Sequence, residues 1–166
     1  MGGKNYESDF KSVVIKVKRV TKVNKGGRQL SFSALVVIGN GKGVVGFGIG
    51  KSKETQAAII KAGKAAKKKL INIPILNGTI THPVTGRYKA SVIFLRPAGE
   101  GFTIKAGSVL SILCKLAGIK NIISKFIKRG SNCNKTMAVF NAFSKLRTPS
   151  EIARDRCVSL KKVLYG

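Results

Sequence analysis

Acidic residues are scarce in this sequence, which has six Asp and Glu against 32 Lys and Arg in 166 residues, a net charge of +26. An excess of one sign opposes compact folding through self-repulsion unless a polyanion neutralises it. Nucleic acid is the partner indicated first, because Lys and Arg contacts to phosphates give salt-dependent affinity. An anionic membrane is the weaker alternative, since no run approaches the ~18 apolar residues of a span and no signal peptide opens the chain.

Histidine and cysteine are also rare, which argues against metal sites and disulfides. His82 is the only histidine, so a cluster of histidine ligands is excluded. The three cysteines lie far apart without a C-x-x-C pair, so neither a zinc site nor a disulfide framework is expected. The few carboxylates are dispersed and do not indicate a paired acid–base site. We therefore predict no enzyme activity, no cofactor and no small-molecule substrate.

Hydrophobic residues make up 43% of the chain, an ordinary share for a globular protein. The length fits one domain or two small ones, and two small ones would each be marginally stable alone. The stretch over residues 72–77, which contains Pro74, marks the expected boundary. The predicted organisation is an N-terminal extension over residues 1–10, a first domain over 11–74, and a second domain with terminal helices over 75–166.

The first half of the chain is predicted to fold as β-β-β-α. Alternating β-branched residues after Phe10 indicate one strand, residues 21–28 a loop, and residues 30–38 a second strand. A tight turn at residues 39–41 leads to a third strand with glycines on one side. A helix then runs to about Leu70, with Ser52 as N-cap, Glu54 in its first turn and Ile60 on its buried side. Such a sheet can bury one face against the helix and leave the other for RNA.

The second half mixes strands and helices. Residues 79–96 are predicted as hairpin strands around a turn at residues 84–87, followed by a helix that Gly118 ends in the left-handed conformation. Residues 119–126 are predicted as a strand or a short buried segment. A basic turn at 128–132, a helix over 136–146 and a last helix from Ser150 complete the chain. The predicted fold class is therefore α+β.

Residues 41–46, Gly-Lys-Gly-Val-Val-Gly, match the dinucleotide fingerprint Gly-x-Gly-x-x-Gly. That fingerprint requires a helix at its end and an acid about 20 residues later, and neither is expected here. Residues 50–52, Gly-Lys-Ser, imitate the end of a phosphate-binding loop, but Val45 stands where that motif needs glycine. The glycines instead permit tight turns and close backbone approach, which contact with an RNA backbone would also use.

The cations between the first two strands are the best candidates for phosphate contact. Lys22, Lys25 and Arg28 flank a Gly-Gly pair, where side chains and backbone N–H groups can both reach phosphates. The run at residues 67–69 is interpreted mainly as a solvated helix face. The predicted RNA-binding residues are Thr21, Lys22, Asn24, Lys25, Gly26, Gly27, Arg28, Lys42, Lys51, Lys53, Arg87, Lys105, Lys125, Lys128, Arg129 and Asn132.

Several motifs in order resemble the bacterial-type small-subunit ribosomal protein five family. They are Lys-Gly-Gly-Arg at residues 25–28 with the glycine-rich stretch to residue 52, Asn-Gly-Thr-Ile-Thr-His-Pro-Val at 77–84, Phe-Leu-Arg-Pro-Ala at 94–98, Leu-Ala-Gly-Ile-Lys-Asn-Ile at 116–122, and Arg-Thr-Pro-Ser-Glu-Ile-Ala at 147–153. The resemblance covers about residues 11–165. It implies an N-terminal double-stranded-RNA-binding-like β-β-β-α domain and a small C-terminal α+β domain with a βαβ-type arrangement.

The resemblance also implies a function and a set of partners. Members of that family bind small-subunit ribosomal RNA beside ribosomal proteins four and eight, support assembly, line the messenger RNA entry path and influence decoding accuracy. The loop at residues 21–28 would reach toward the head–body junction near the spectinomycin pocket. The implied location is the ribosome of a bacterial cytoplasm or of an organelle, plastid or mitochondrion. A free-standing RNA chaperone or architectural nucleic-acid-binding protein is the alternative, and an enzyme using the glycine loop is the third hypothesis.

One stretch departs from the family pattern. Residues 101–108 read Gly-Phe-Thr-Ile-Lys-Ala-Gly-Ser where the family has Gly-Thr-Gly-x-Ile-Ala-Gly-Gly, and Ser111 stands where the family has Arg. The departures at Phe102, Lys105 and Ser111 affect the expected contact with protein four or RNA. Lys105 is expected to compensate in part.

Overall fold

The computed structural model describes residues 10–165, and within them the chain forms two compact units. The first unit contains the residues up to Asn72 together with Ser108–Gly118, and the second contains Ile73–Gly107 and the residues from Ile119 onward. The extension expected over residues 1–10 lies outside the described residues except for Phe10. The domain limits at 74 and 75 remain a prediction, and the grouping of Ser108–Gly118 with the first unit was not anticipated.

The first unit is built on one antiparallel four-stranded sheet. Its strands are β1 (Lys11–Asn24), β2 (Gly27–Gly39), β3 (Val44–Ser52) and β4 (Leu70–Asn72), in the order β1-β2-β3-β4. Helix α1 (Thr55–Lys67) follows β3, so the predicted β-β-β-α order is confirmed. The helix ends three residues before Leu70, which instead begins the short edge strand β4.

Alternation along β2 divides its side chains between the two faces of the sheet. Ala34, Val36 and Ile38 form one buried cluster with the small residues of α1, namely Ala58, Ala62 and Ala66. Leu35 and Val37 are buried on the opposite face. Helix α2 (Ser108–Ala117) contacts β1, β2 and β3, and Leu116 lies against Gly39 of this opposite face. Both faces of the sheet are therefore covered by helices.

Two expectations for α1 are wrong. Ser52 does not cap the helix but ends β3, and the N-cap is Glu54, whose side chain accepts no capping hydrogen bond. Ile60 was expected to be buried and is 60% exposed. The buried stripe of α1 repeats every four residues, and Ile60 lies two residues from it, about half a turn away.

The connection predicted as a loop over residues 21–28 is mostly strand. β1 continues to Asn24 and β2 begins at Gly27, which leaves Lys25 and Gly26 as a two-residue turn. The alternation of β-branched residues extends through Thr21 and Val23, and this favours continued pairing over a loop. Gly27 takes a φ of 130°, a conformation that L side chains rarely adopt, so it is the glycine that the turn requires.

The second unit contains a mixed four-stranded sheet. Its strands are β7 (Val84–Tyr88), β8 (Ser91–Pro97), β9 (Ile104–Lys105) and β10 (Ile122–Lys128), in the order β7-β8-β10-β9. β9 and β10 are parallel and the chain joins them through α2, which gives the expected βαβ-type arrangement. A separate hairpin pairs β5 (Ile75–Leu76) with β6 (Thr79–Ile80).

Helices α3 (Asn132–Phe143), α4 (Pro149–Asp155) and α5 (Leu160–Tyr165) complete the second unit. α3 packs on β7 and β8. The predicted last helix from Ser150 corresponds to α4, and α5 follows it as a further helix. No helix among residues 10–165 is long and apolar enough to cross a membrane.

The turn predicted at residues 84–87 is wrong, because these residues belong to β7. The chain turns at Lys89, whose φ is 49°, and Ala90 before β8 begins. Gly86 suggested a turn, but it lies directly beneath α3, where a Cβ atom would be 2.7 Å from the Cβ of Ala142. This glycine therefore serves close helix packing and not chain reversal.

Candidate nucleic-acid interface

Every residue from 21 to 30, at the end of the β1–β2 hairpin, is exposed. Lys22 pairs with Gln29, Val23 with Arg28, and Asn24 with Gly27. Paired residues share a face and successive residues alternate, so Lys22 and Arg28 lie on opposite faces while Lys25 occupies the turn. Cations are thus available on both sides of the hairpin and at its end.

A groove lies where this hairpin meets β3. It is lined by Val20, Thr21, Lys22, Gln29, Ser31, Lys51, Ser52 and Lys53. Strand register explains the grouping, because Val20 pairs with Ser31 and Ser52 pairs with Phe32. The structure therefore brings together three predicted cations, Lys22, Lys51 and Lys53, that are separated by up to 31 positions in the sequence.

The groove also contains residues that the sequence analysis missed, namely Gln29, Ser31 and Ser52. Their hydroxyl and amide groups can donate hydrogen bonds to phosphate oxygens beside the ammonium groups of the lysines. The signal that could have found them is the pairing of β1 with β2, because correct register places Gln29 opposite Lys22.

The glycine turn between β2 and β3 uses its backbone donors internally. The N–H of Gly41 donates to the carbonyl of Leu116, and the N–H of Gly43 to that of Ala117, both at 2.8 Å. The Asn40 side chain accepts from the N–H groups of Lys42 and Val44. The Gly41 and Gly43 amides thus satisfy carbonyls at the end of α2, and those of Lys42 and Val44 are bonded to Asn40, so the four amides are not arranged as a phosphate cradle. Lys42 itself remains exposed as a candidate contact.

The predicted cations of the second unit gather on its sheet. Arg87, Lys105, Lys125 and Lys128 lie on β7, β9 and β10, and all four are exposed. Arg129 is exposed in the turn after β10, and Asn132 begins α3, where its backbone carbonyl accepts a bond from the Thr136 hydroxyl at 2.9 Å. The predicted contacts of the second unit therefore lie on its strands or shortly after β10.

Negative charge is absent from the strands of both sheets, none of which contains Asp or Glu within the described residues. The carboxylates near the chain end have partners. Asp155 accepts from Arg147 at 2.6 Å, and Glu151 accepts from the backbone N–H of Thr148 at 2.8 Å. Hydrogen bonds from Thr148 lower the pKa of Glu151. The positive surfaces of the sheets therefore have no compensating carboxylate on their own strands.

His82 and Cys114, which belong to residue types that often act in catalysis, have structural roles here. Nε2 of His82 accepts from the N–H of Arg147 at 3.2 Å, and Nδ1 lies 3.0 Å from the Pro83 carbonyl, so the ring joins two segments of the second unit. Burial raises the pKa of the Cys114 thiol to about 12, which keeps it protonated. No cluster of three potential metal ligands occurs among residues 10–165.

Two family models match this chain in succession. The N-terminal domain of ribosomal protein S5 matches residues 10–74, and the C-terminal domain of ribosomal protein S5 matches residues 86–156. The chain is 43% identical over 159 residues to the small ribosomal subunit protein uS5 of Bifidobacterium animalis subsp. lactis, covering 96% of this chain and 65% of that protein. The chain thus spans less than two thirds of that relative's length.

Two further relatives match over most of both proteins. The uS5 protein of Thermotoga petrophila is 40% identical over 158 residues, 95% of this chain and 89% of the relative. The uS5 protein of Acidithiobacillus ferrooxidans is 44% identical over 151 residues, 90% of this chain and 86% of the relative.

Proposed function

The chain belongs to the ribosomal protein S5 family, and on that premise we propose that it is a structural constituent of the small ribosomal subunit that binds ribosomal RNA. The observation that carries the proposal is the exposed, acid-free hairpin formed by β1 and β2, with cations on both faces and at the turn. Such a surface is suited to binding phosphates.

The finer assignments rest on the same family membership. We propose that the chain contacts ribosomal proteins four and eight, lies near the messenger RNA entry path and influences decoding accuracy, without enzymatic activity. Its location would be the ribosome of a bacterial cytoplasm or of an organelle. Ser111 and Lys105, the departures near the expected contact with protein four, lie in different units. Lys105 is exposed and its Nζ is 5.6 Å from the centre of the Phe102 ring.

Salt dependence and sedimentation together test the proposal. The full chain should bind structured RNA with a log–log salt slope of about 0.7 to 0.9 per phosphate neutralised. It should also sediment with the small subunit in a sucrose gradient at moderate salt. Affinity that stays flat as salt rises would contradict RNA binding. Sedimentation with diverse RNAs outside the subunit would instead favour a free-standing RNA chaperone.

The hairpin turn supplies the sharpest variants. Lys25→Glu replaces attraction by repulsion at an exposed position, so it should lower the salt slope by about 1 and impair subunit assembly or the response to spectinomycin. Lys61→Glu, on the exposed face of α1, makes the same charge change and is the matched control. Circular dichroism of both free proteins should stay native.

Variants of Gly26 and Gly27 distinguish the effect of backbone conformation in the turn from the effect of added side-chain bulk. Gly27→Val should distort the turn, because Gly27 has a φ of 130°. Gly26→Val should be tolerated by the free protein, since no atom lies within 4 Å of a Cβ placed there. If Lys25→Glu and Gly27→Val subunits both assemble, translate and respond to the drug like wild type, the hairpin is not a principal contact.

A further inference from the structure

Within the described residues of the second unit, α3 packs on one face of the sheet and leaves exposed residues on the other. On its inner face Val84, Ser91, Ile93 and Leu95 are buried, and α3 packs there. The opposite surface, which we call the open face, carries the alternate residues of the same strands.

Strand register arranges the open face in three rows. Thr85 pairs with Phe94, which pairs with Lys125, and Arg87 pairs with Val92, which pairs with Lys128. The third row contains Arg96, Ile123 and Lys105. Paired side chains on one face lie within about 5 Å of each other at Cβ, so Lys125 lies directly beside Phe94. The open face carries five cations in all. Arg96, which the sequence analysis did not select, is one of them.

Phe94 differs from the aromatic residues on the neighbouring strands and from Phe102, which precedes β9. Lysines lie within 6 Å of the rings of Tyr88, Phe102 and Phe126, at 5.9, 5.6 and 5.8 Å. Phe94 has no such lysine among the described residues, and it is 38% exposed although it lies on the central strand β8. An apolar ring left accessible between cations is suited to stacking.

The composition of the open face favours RNA over a protein partner. The cores of protein–protein interfaces are depleted in lysine, whereas three of the five cations here are lysines. No acidic residue occurs on the four strands. Sheet surfaces that combine an exposed aromatic ring with cations bind unpaired nucleotides, whose bases stack on the ring while phosphates contact the cations. A duplex keeps its bases stacked internally and cannot use the ring.

We propose that the open face binds single-stranded RNA, with one base stacked on Phe94 and the adjoining phosphates at Arg87, Arg96 and Lys125. The inference rests on the proposed function in that both concern RNA, but it adds a surface in a different unit from the hairpin and names the form of RNA that it takes.

The test measures binding of the full chain to three RNA probes by fluorescence anisotropy. The probes are a single-stranded oligouridine of about ten nucleotides, the same strand with abasic sites, and a duplex with an equal number of phosphates. Phe94→Ala should weaken binding to the oligouridine by at least about fivefold, the lower limit of base stacking on an aromatic side chain. Binding to the abasic strand and to the duplex should change by less than about twofold. Phe94→Tyr keeps the ring and should retain wild-type affinity.

A double variant that removes two positive charges tests the phosphate contacts. Arg96→Gln with Lys125→Gln should lower the salt slope for the oligouridine by about 2, one per lost contact. Arg154→Gln with Arg156→Gln removes the same charge from exposed positions at the end of α4 and should leave that slope near wild type. Native circular dichroism of each variant confirms that its fold is kept.

Three results would overturn the inference. The first is an oligouridine affinity of Phe94→Ala within about twofold of wild type, and the second is an equal loss on the abasic strand or the duplex. The third is impaired subunit assembly of the open-face variants with unchanged oligouridine affinity, which would assign the face to a protein neighbour. If wild type itself binds no RNA in a salt-dependent manner, the proposed function fails. If wild type binds and Lys25→Glu weakens that binding while the open-face variants do not, only this inference fails.

Discussion

Helix α1 in the first unit and helix α3 in the second both pack on a strand through glycine, but to different extents. Three glycines of β3 lie beneath α1, with Gly50 against Ala58, Gly48 against Ala62, and Gly46 against Ala66. Four helical residues advance 6 Å and two strand residues advance about 6.7 Å, so this pairing stays in phase for three steps. Beneath α3 only Gly86 plays this part, and Val84 and Tyr88 on either side of it keep their side chains.

The N-terminal caps show the opposite trend, because the helix with more glycine contacts has no side-chain cap, whereas α3 and α4 are capped. α1 begins without a side-chain cap. In α3 the Ser131 hydroxyl accepts from the N–H of Asn134, and in α4 Thr148 and Glu151 form a reciprocal capping box. The contrast teaches that α1 is positioned along its length by close backbone approach, whereas α3 and α4 depend more on their termini.

The largest effect is expected in the middle of the glycine row. In Gly48→Val the Cβ atom would meet the carbonyl oxygen of Ala62 and lie 2.5 Å from the backbone nitrogen of Ala66, and backbone atoms cannot move aside as a flexible side chain can. We expect a loss of about 3 kcal/mol or more in the free energy of unfolding, the upper range for overpacking. Urea denaturation followed by circular dichroism measures it.

The control for this variant lies on the same helix. A Cβ at Gly63 meets no atom within 4 Å, so Gly63→Ala should stabilise α1 by roughly 0.5 to 1 kcal/mol through helix propensity. Wild-type stability of Gly48→Val would show that the row of glycines does not position the helix.

A smaller loss is expected in the second unit. Gly86→Ala would place a Cβ against the carbonyl of Ala138 and 2.7 Å from the Cβ of Ala142, and this is the single point of close approach. We expect a cost of about 1 to 3 kcal/mol. Thr85→Ala, at the adjacent exposed position, is the control and should change stability by less than about 1 kcal/mol. If Gly86→Ala destabilises the protein more than Gly48→Val in the same assay, α1 does not depend on close glycine packing more than α3 does.

Local patterns in the sequence were enough to predict the β-β-β-α succession of the first unit, without its edge strand β4, and the left-handed conformation of Gly118, whose φ is 85°. The same patterns could not reveal why glycine recurs in β3. A glycine that faces a helix and a glycine that approaches a phosphate look alike in sequence, because both lack a Cβ for the same steric reason. The wrong prediction of a turn at residues 84–87 has this origin, because Gly86 serves helix packing while glycine in a sequence is also typical of a chain reversal.

The sequence likewise predicts the candidate RNA-binding sites only in part. The sign of the charge and the lysines near the Gly-Gly pair were sufficient to select the hairpin. Register was needed to place Lys51 beside Lys22, and to place Arg96 on the open face with Lys125. Packing of Ser108–Gly118 with the first unit depends on long-range contacts that alternation and capping signals do not encode.

Removing the N-cap of α4 tests whether that helix depends on its terminus for stability. Thr148→Ala deletes the hydroxyl that accepts from the N–H of Glu151 at 3.2 Å, and with it one side of the capping box. We expect a loss of about 1 kcal/mol in the free energy of unfolding, the usual cost at an N-cap. Thr148→Ser keeps the hydroxyl and should restore wild-type stability. If Thr148→Ala is neutral, the terminus does not stabilise α4 as inferred.

The smallest effect is expected at Glu151, and it should depend on pH. The hydrogen bonds from Thr148 lower the pKa of this carboxyl below its ordinary value of 4.5, so the folded protein binds the proton less readily than the unfolded chain. The stabilisation is therefore present above pH 4.5 and is lost as the pH falls below it through the folded pKa. Glu151→Gln can still accept from the Thr148 N–H but cannot titrate. Unfolding of wild type and Glu151→Gln, measured from pH 7 down to pH 3, should differ less than wild type differs from Thr148→Ala at neutral pH, and the difference should shrink toward acid. A difference that grows as the pH falls would contradict the assigned sign.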